Sequence, residues 1–234
     1  MNRIKSAVLV AAGVFVFLGS GTKANAQAVV GVDPTAPWQG YMNVFELPSN
    51  GGAYVFGQPW TPVDLTAVFT GDVLTLGPNS IGDTSAFWYT PSGGPGATGN
   101  KIMDANLYQE TTNVYTGQNL TFTGNVLSNT FISGYTLTAF IKDFAPDYSS
   151  SIGTSTPLVD GVFSISFDIL PLAGRHVQFG FTVNGPDVWV TDRAPVGEAQ
   201  ITAVPEPGLP GYAACATLLL GTSALLRRRK TRTA

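Results

Sequence analysis

Apolar and polar positions alternate with a period of two through the middle of this chain. Over residues 162–169, Phe163, Ile165, Phe167 and Ile169 alternate with Val162, Ser164, Ser166 and Asp168, the pattern of a strand with one buried face. Val177, Phe179, Phe181 and Val183 alternate in the same way with Gln178, Gly180 and Thr182. Leu65, Ala67 and Phe69, followed by Leu74 and Leu76, predict a hairpin turning at Gly71-Asp72, and Tyr135, Leu137, Ala139 and Ile141 predict a further strand. Shorter strands are expected within 41–47, 87–90, 101–109, 119–123, 188–191 and 198–202. Turn clusters such as Ser49-Asn50-Gly51-Gly52, Asp160-Gly161 and Asn184-Gly185-Pro186 separate them. Residues 91–100 and 144–157 read as long loops. No segment of 27–203 keeps a helical period over three turns, so the pattern predicts an all-β fold, an antiparallel β-sandwich of jelly-roll or Greek-key type.

Both ends break this pattern. Arg3 and Lys5 precede an apolar run over 7–18, and Ala24-Asn25-Ala26 supplies the small-x-small site that signal peptidase accepts. A signal peptide is therefore expected over 1–26, with Gln27 the first mature residue. The far end begins Val204-Pro205-Glu206-Pro207, where each proline lacks an N–H and biases its predecessor toward extended backbone. Residues 208–226 carry no charged side chain and would make a helix of roughly 28 Å, close to the ~30 Å of a hydrocarbon core. Arg227, Arg228, Arg229, Lys230 and Arg232 follow within 227–234, and such a basic cluster stays on the cytoplasmic side. The expectation is a transmembrane helix over 208–226, anchoring an exported domain, 27–203, on the outer side of the inner membrane.

The tail, 204–234, resembles the PEP-CTERM sorting signal of bacterial exported proteins. The match lies in Val204-Pro205-Glu206-Pro207, the apolar segment and the arginine cluster, in that order at the end of the chain. What this resemblance implies is export, transient anchoring, processing near the Pro-Glu-Pro motif by an exosortase-type enzyme, and delivery to the cell surface or extracellular matrix. It implies nothing about what the exported domain does.

Charge sharpens the picture of that domain. Residues 27–203 hold 14 Asp and Glu against four basic residues, Lys101, Lys142, Arg175 and Arg193, or about −10 with His176 neutral, although the whole chain is only −3. An acidic domain is a poor partner for nucleic acid. The single cysteine, Cys215, lies in the tail, which leaves 27–203 without a thiol nucleophile, a thiolate ligand or a disulfide.

Candidate chemistry is sparse. His176 is the one histidine and no Gly-x-Ser-x-Gly elbow accompanies it, so a serine triad is not indicated. The glutamates of the domain, Glu46, Glu110 and Glu198, are far apart in sequence, whereas glycosidases need paired carboxyl groups. Asp143, Asp147 and Asp160, with Asp187 and Asp192, keep calcium open as an oxygen-liganded ion, although no Asp-x-Asp-x-Asp-Gly loop is present. Of the four tryptophans, Trp60 and Trp88 are the candidate stacking platforms for a sugar ligand. Three functions follow: a non-enzymatic surface or matrix protein, a carbohydrate-binding module with polysaccharide as partner, and a carbohydrate-active hydrolase whose carboxylates would converge from different strands.

Overall fold

The computed structural model describes residues 26–205. The strands run in the order β1 (Gln27–Val30), β2 (Gln39–Glu46), β3 (Tyr54–Trp60), β4 (Ala67–Thr70), β5 (Val73–Leu76), β6 (Ser80–Ile81), β7 (Tyr89–Thr90), β8 (Thr98–Gly99), β9 (Lys101–Thr112), β10 (Asn119–Asn129), β11 (Thr136–Phe144), β12 (Ser151–Pro157), β13 (Gly161–Asp168), β14 (His176–Pro186), β15 (Val188–Trp189) and β16 (Ala199–Thr202). One six-stranded sheet has the order β12-β11-β14-β9-β2-β3 and is antiparallel throughout. The other follows β1-β10-β16-β5-β4, with β13 on the opposite edge of β10. Two-stranded pairs, β6 with β15 and β7 with β8, complete the set.

Alternation explains how the two large sheets meet. Met42, Val44, Met103, Phe179 and Phe181 of the antiparallel sheet share one core with Leu74, Leu120, Phe122 and Ile201 of the other. Phe122 is the bridge: its ring centroid lies 5.5 Å from Phe179, 5.3 Å from Phe181 and 5.4 Å from Phe163. Such aromatic pairs add about 0.5–1.5 kcal/mol each beyond their buried area. In β13, Phe163 and Ile165 point inward while Val162, Ser164 and Ser166 are exposed. The hairpin of β4 and β5 turns at Gly71-Asp72, where Gly71 takes φ +58°, the first central position of a tight hairpin turn that glycine occupies without strain.

The structure corrects the expected architecture. The fold is not a purely antiparallel sandwich: β1 runs parallel to β10 and β15 parallel to β6. The cause lies in β10, whose edge is occupied by β16 only from Asn125 onward, leaving Asn119–Phe122 open. β1 fills that gap, and because the chain then leaves for the other sheet at β2, the parallel pairing needs no crossover within the sheet. Neither large sheet closes into a barrel: β12 and β3 are the unpaired edges of the antiparallel sheet, and β4 and β13 are unpaired edges of the mixed one.

The second correction concerns the membrane. Among the described residues the helical elements are two 3-10 turns, Pro48–Asn50 and Ala194–Val196, and no helix is long and apolar enough to cross a membrane. The expected transmembrane helix over 208–226 and the basic cluster at Arg227, Arg228, Arg229, Lys230 and Arg232 lie outside the described residues, as do Glu206, Pro207 and the signal segment 1–25 with Ala24. Inner-membrane anchoring, and the surface location built on it, therefore have no structural support and are not carried further. Of the sorting motif, Val204 and Pro205 are described and lie outside any strand.

The long loops also differ from expectation. Residues 151–157 form β12, an edge strand of small polar residues that pairs with β11 through Thr138–Phe144. An edge strand needs no apolar alternation, because only one of its sides is paired and neither face is deeply covered.

Candidate functional site: a polar cleft across the antiparallel sheet

The inward phase of β9 is Met103, Ala105 and Leu107, so Asp104, Asn106, Tyr108 and Glu110 must emerge on the outer face. Register then sets their neighbours. Asp104 lies beside Asn43 and Asn184, Asn106 beside Tyr41 and Thr182, Tyr108 beside Gln39 and Gly180, and Glu110 beside Gln178. Lys142 and Phe144 of β11 flank Gln178 and His176 from the other side. All of these except Asp104, Asn184, Thr182, Gly180 and His176 line a cleft of about 590 Å³, joined by Pro59, Tyr148 and Ser151.

The cleft's charges are held by neutral partners. Glu110 accepts from the Gln178 amide at 2.6 Å and from the Tyr148 hydroxyl at 2.8 Å. The Asp104 carboxylate accepts from Asn106 at 2.6 Å and from Asn43 and Asn184 at 3.3 Å each. Asn106 accepts in turn from Thr182 at 2.9 Å and from the Lys142 ammonium at 3.4 Å. That ammonium also stands 4.5 Å from the centre of the Phe140 ring. Burial lowers the Lys142 pKa, and the Asp104 charge opposes that shift.

Aromatic rings frame these polar groups. Tyr108 is nearly buried on the floor; burial raises its hydroxyl above the ordinary phenol value, with the Glu110 charge adding to it. Among the described residues the hydroxyls of Tyr41 and Tyr108 have no hydrogen-bond partner, so both are open to a ligand. Gly180 lies between Tyr108 and Phe140 in register; a Cβ there would run into the β9 backbone at Leu107 and Tyr108, so glycine is required by close approach.

Tyr148 closes one end. Its φ of +58° is unusual for a bulky residue and costs on the order of 1–3 kcal/mol, which the surroundings must offset. The ring stacks on His176 at 4.3 Å between centroids and the hydroxyl reaches Glu110; burial pushes the Tyr148 pKa up to about 12, and the bond to Glu110 and its charge add to that. His176 shares a 2.8 Å hydrogen bond with Thr112, contacts the Pro146 carbonyl at 3.3 Å and lies 3.9 Å from Glu110. It is a wall of the Tyr148 turn.

The tryptophans singled out from the sequence sit elsewhere. Trp60 lines a separate cleft of about 510 Å³ with Asp64 and Arg193. Trp88 is half-buried against the core, edge-on to Phe87 at 4.7 Å and to Phe56 at 6.2 Å. A larger cleft of about 810 Å³, running past Val63, Val68, Thr75 and Val190, carries no aromatic ring. Tyr41, Tyr108, Tyr148, Asn106 and Gln178 were not picked out from sequence. The signal that could have found them is the polar phase of β9 and β14, Asn106-Tyr108-Glu110 and Gln178, read as a surface in its own right.

The aspartates considered for calcium are spread through the fold. Asp143 is buried and receives Arg175 Nε at 2.7 Å and the Leu170 amide at 3.0 Å, a pair that ties the loop before β14 to β11. Asp147 holds its own turn through Ser149, Asp160 accepts the Asn129 amide at 2.7 Å, and Asp192 accepts the Gly96 amide. Asp187 is 2% exposed; one carboxylate oxygen accepts the Lys101 amide at 3.0 Å and the other has no partner. Among the described residues no three His, Cys, Asp or Glu side chains gather as a metal site.

No protein-family model, no curated protein and no solved structure matches this chain. The resemblance of the tail to exosortase substrates, with the processing partners it implies, rests on the motif residues alone.

Proposed function

We propose that the described domain is a non-enzymatic carbohydrate-binding domain whose site is the cleft across the antiparallel sheet. The observation that carries this reading is the pairing of phenol rings with amide and carboxylate groups in one open cleft: Tyr41, Tyr108 and Tyr148 with Asn43, Asn106, Gln178 and Glu110. Sugars present apolar C–H faces and a dense rim of hydroxyls. Aromatic rings cover the former and fixed amides and carboxylates orient the latter.

The spacing of the carboxylates favours binding over hydrolysis. Asp104 and Glu110 share the outer face of β9 six residues apart, which is about 20 Å along a strand, against the ~5–9.5 Å that glycosidase pairs need. Glu110 is also engaged on both oxygens.

Affinity electrophoresis of the purified protein in gels containing different polysaccharides tests the proposal. Retardation in at least one gel is expected, together with its loss in Tyr41→Ala and Gln178→Ala. Arg193→Ala, in the Trp60 cleft, should migrate as the parent does. Retardation lost in Arg193→Ala but kept in Tyr41→Ala would move the site to the Trp60 cleft.

A further inference from the structure

The cleft is elongated in one direction. It takes residues from every strand of the sheet, Ser151 of β12, Lys142 of β11, Gln178 of β14, Tyr108 of β9, Tyr41 of β2 and Pro59 of β3. Six strands at about 4.8 Å spacing span about 24 Å across the sheet. Along the strand direction the lining runs from Asn43, level with Asp104, to Phe144 and Ser151, level with Thr112, about 27 Å. The lining therefore runs obliquely across the strands, from Asn43 and Pro59 at one corner to Phe144 and Ser151 at the other, which is the shape for an extended chain rather than a single ring.

The charges of the cleft fit an uncharged chain. Glu110 and Asp104 are satisfied by Gln178, Tyr148 and asparagine amides, so their negative charge is oriented but not neutralised. Lys142 pairs with no carboxylate among the described residues, yet it is held at Asn106 and Phe140 beside the Asp104 charge. An acidic chain would meet the Glu110 carboxylate in the cleft, Asp104 behind Asn106, and a domain of net charge about −10 around them. A polycationic chain would have to pass the Lys142 ammonium and displace the donors already on Glu110. A hydroxyl-only chain has neither conflict, and Tyr41, Tyr108 and the free N–H groups of Lys142 offer it both donors and acceptors.

Resting on the carbohydrate reading above, we infer that the ligand is an extended, uncharged polysaccharide lying across the strands from Ser151 to Pro59. The test is isothermal titration of the full protein with neutral oligosaccharide series of increasing length, drawn from glucans, mannans, xylans and galactans. Polyuronate and deacetylated chitin serve as acidic and cationic probes, each at low and high salt. The expected result is affinity that climbs at least tenfold from monomer to the length that spans the cleft, unchanged by salt, with neither ionic polymer bound. Binding of polyuronate or deacetylated chitin that weakens with salt overturns the uncharged ligand while keeping the cleft as a glycan site. A length-independent affinity overturns the extended chain in the same way. Silence from every glycan overturns the carbohydrate reading itself and this inference with it.

Discussion

The two large sheets solve the same packing problem and then diverge on their outer faces. Inward, both present alternating apolar residues to a shared core around Phe122. Outward, the centre of the mixed sheet shows short side chains, Val29, Thr121, Thr123, Ser164 and Ser166, with a 2.8 Å contact of Thr121 and Ser166, and its longer polar groups pair locally, Asn119 with Asp168 at 2.8 Å and Gln200 with Glu198 at 3.1 Å. The antiparallel sheet shows long ones, tyrosines, amides, two carboxylates and a lysine, held in two hydrogen-bonded clusters, one from Asp104 through Asn106 to Lys142 and one around Glu110 with Gln178 and Tyr148. Folding asks only that the outer phase be polar. A face of hydroxyls and locally paired amides meets that demand, so the strained Tyr148 and the desolvated Lys142 on the other face exceed it. The proposed ligand site would account for an excess of that kind.

The largest effect should come from crossing between the faces of one strand. Ile165→Asp puts a charge into the shared core and should cost several kcal/mol or prevent folding, whereas Ser166→Asp, on the plain outer face, should cost less than about 1 kcal/mol. Urea unfolding distinguishes them, and equal losses would mean that the plain face is not free of structural demand.

A pH series probes the antiparallel sheet through Asp187, just beyond the end of β14. Burial pushes its pKa up to about 6, against hydrogen bonds and the charge of Lys101 that pull it down; Asn100, Tyr89 and Tyr135 also face it. The folded state thus holds the proton more tightly than the unfolded chain, where the value is 3.8. Stability contributed by this group is complete below about pH 4 and is lost as pH rises through about 6, a swing of roughly 2–3 kcal/mol. Asp187→Asn keeps the acceptor for the Lys101 amide and should remove that slope, read as the difference between the two urea midpoints across the pH range. An unchanged slope would show that Asp187 is ionised in the fold throughout.

Smaller differences separate the two outer networks. Glu110→Ala strips the partner from Gln178 and Tyr148 and should cost about 1–2 kcal/mol, with the Tyr148 turn loosened. Thr123→Ala, whose hydroxyl makes one long 3.4 Å contact with the Val30 carbonyl, should cost about 0.5 kcal/mol or less. Thermal melts of the pair would sharpen the contrast if they differ in this order and erase it if they coincide.

Strands of both large sheets were legible in sequence where they alternate cleanly, β14 in the antiparallel sheet and β13 in the mixed one. Val177, Phe179, Phe181 and Val183 face the core, and the phase of β13 places Phe163 and Ile165 inside. What escaped was structure carried by few residues or by distant partners. β1 is four residues long and pairs with a strand some ninety positions later; β6 and β15 are two-residue strands paired in parallel. β3 contains Gly57 and Pro59, which argue against a strand unless it lies at an edge, as this one does. The candidate site was less visible than the fold for a related reason. Attention to scarce tryptophans led to Trp60 and Trp88, while the cleft is built from common residues whose meaning comes from register. Nothing in the local sequence states that Gln178 will lie between Glu110 and Lys142; that follows from two antiparallel pairings, β14 with β9 and β14 with β11.

The most direct measurement of the central claim compares one change on each outer face under identical conditions. Tyr41→Ala removes a half-buried ring from the cleft, and Thr123→Ala changes the plain face. With both variants shown by thermal melting to be folded, polysaccharide binding should weaken at least tenfold in Tyr41→Ala, about 1.4 kcal/mol, and stay at the parent level in Thr123→Ala. Parent-level binding in Tyr41→Ala together with loss in Thr123→Ala would place the ligand on the mixed sheet and contradict the account.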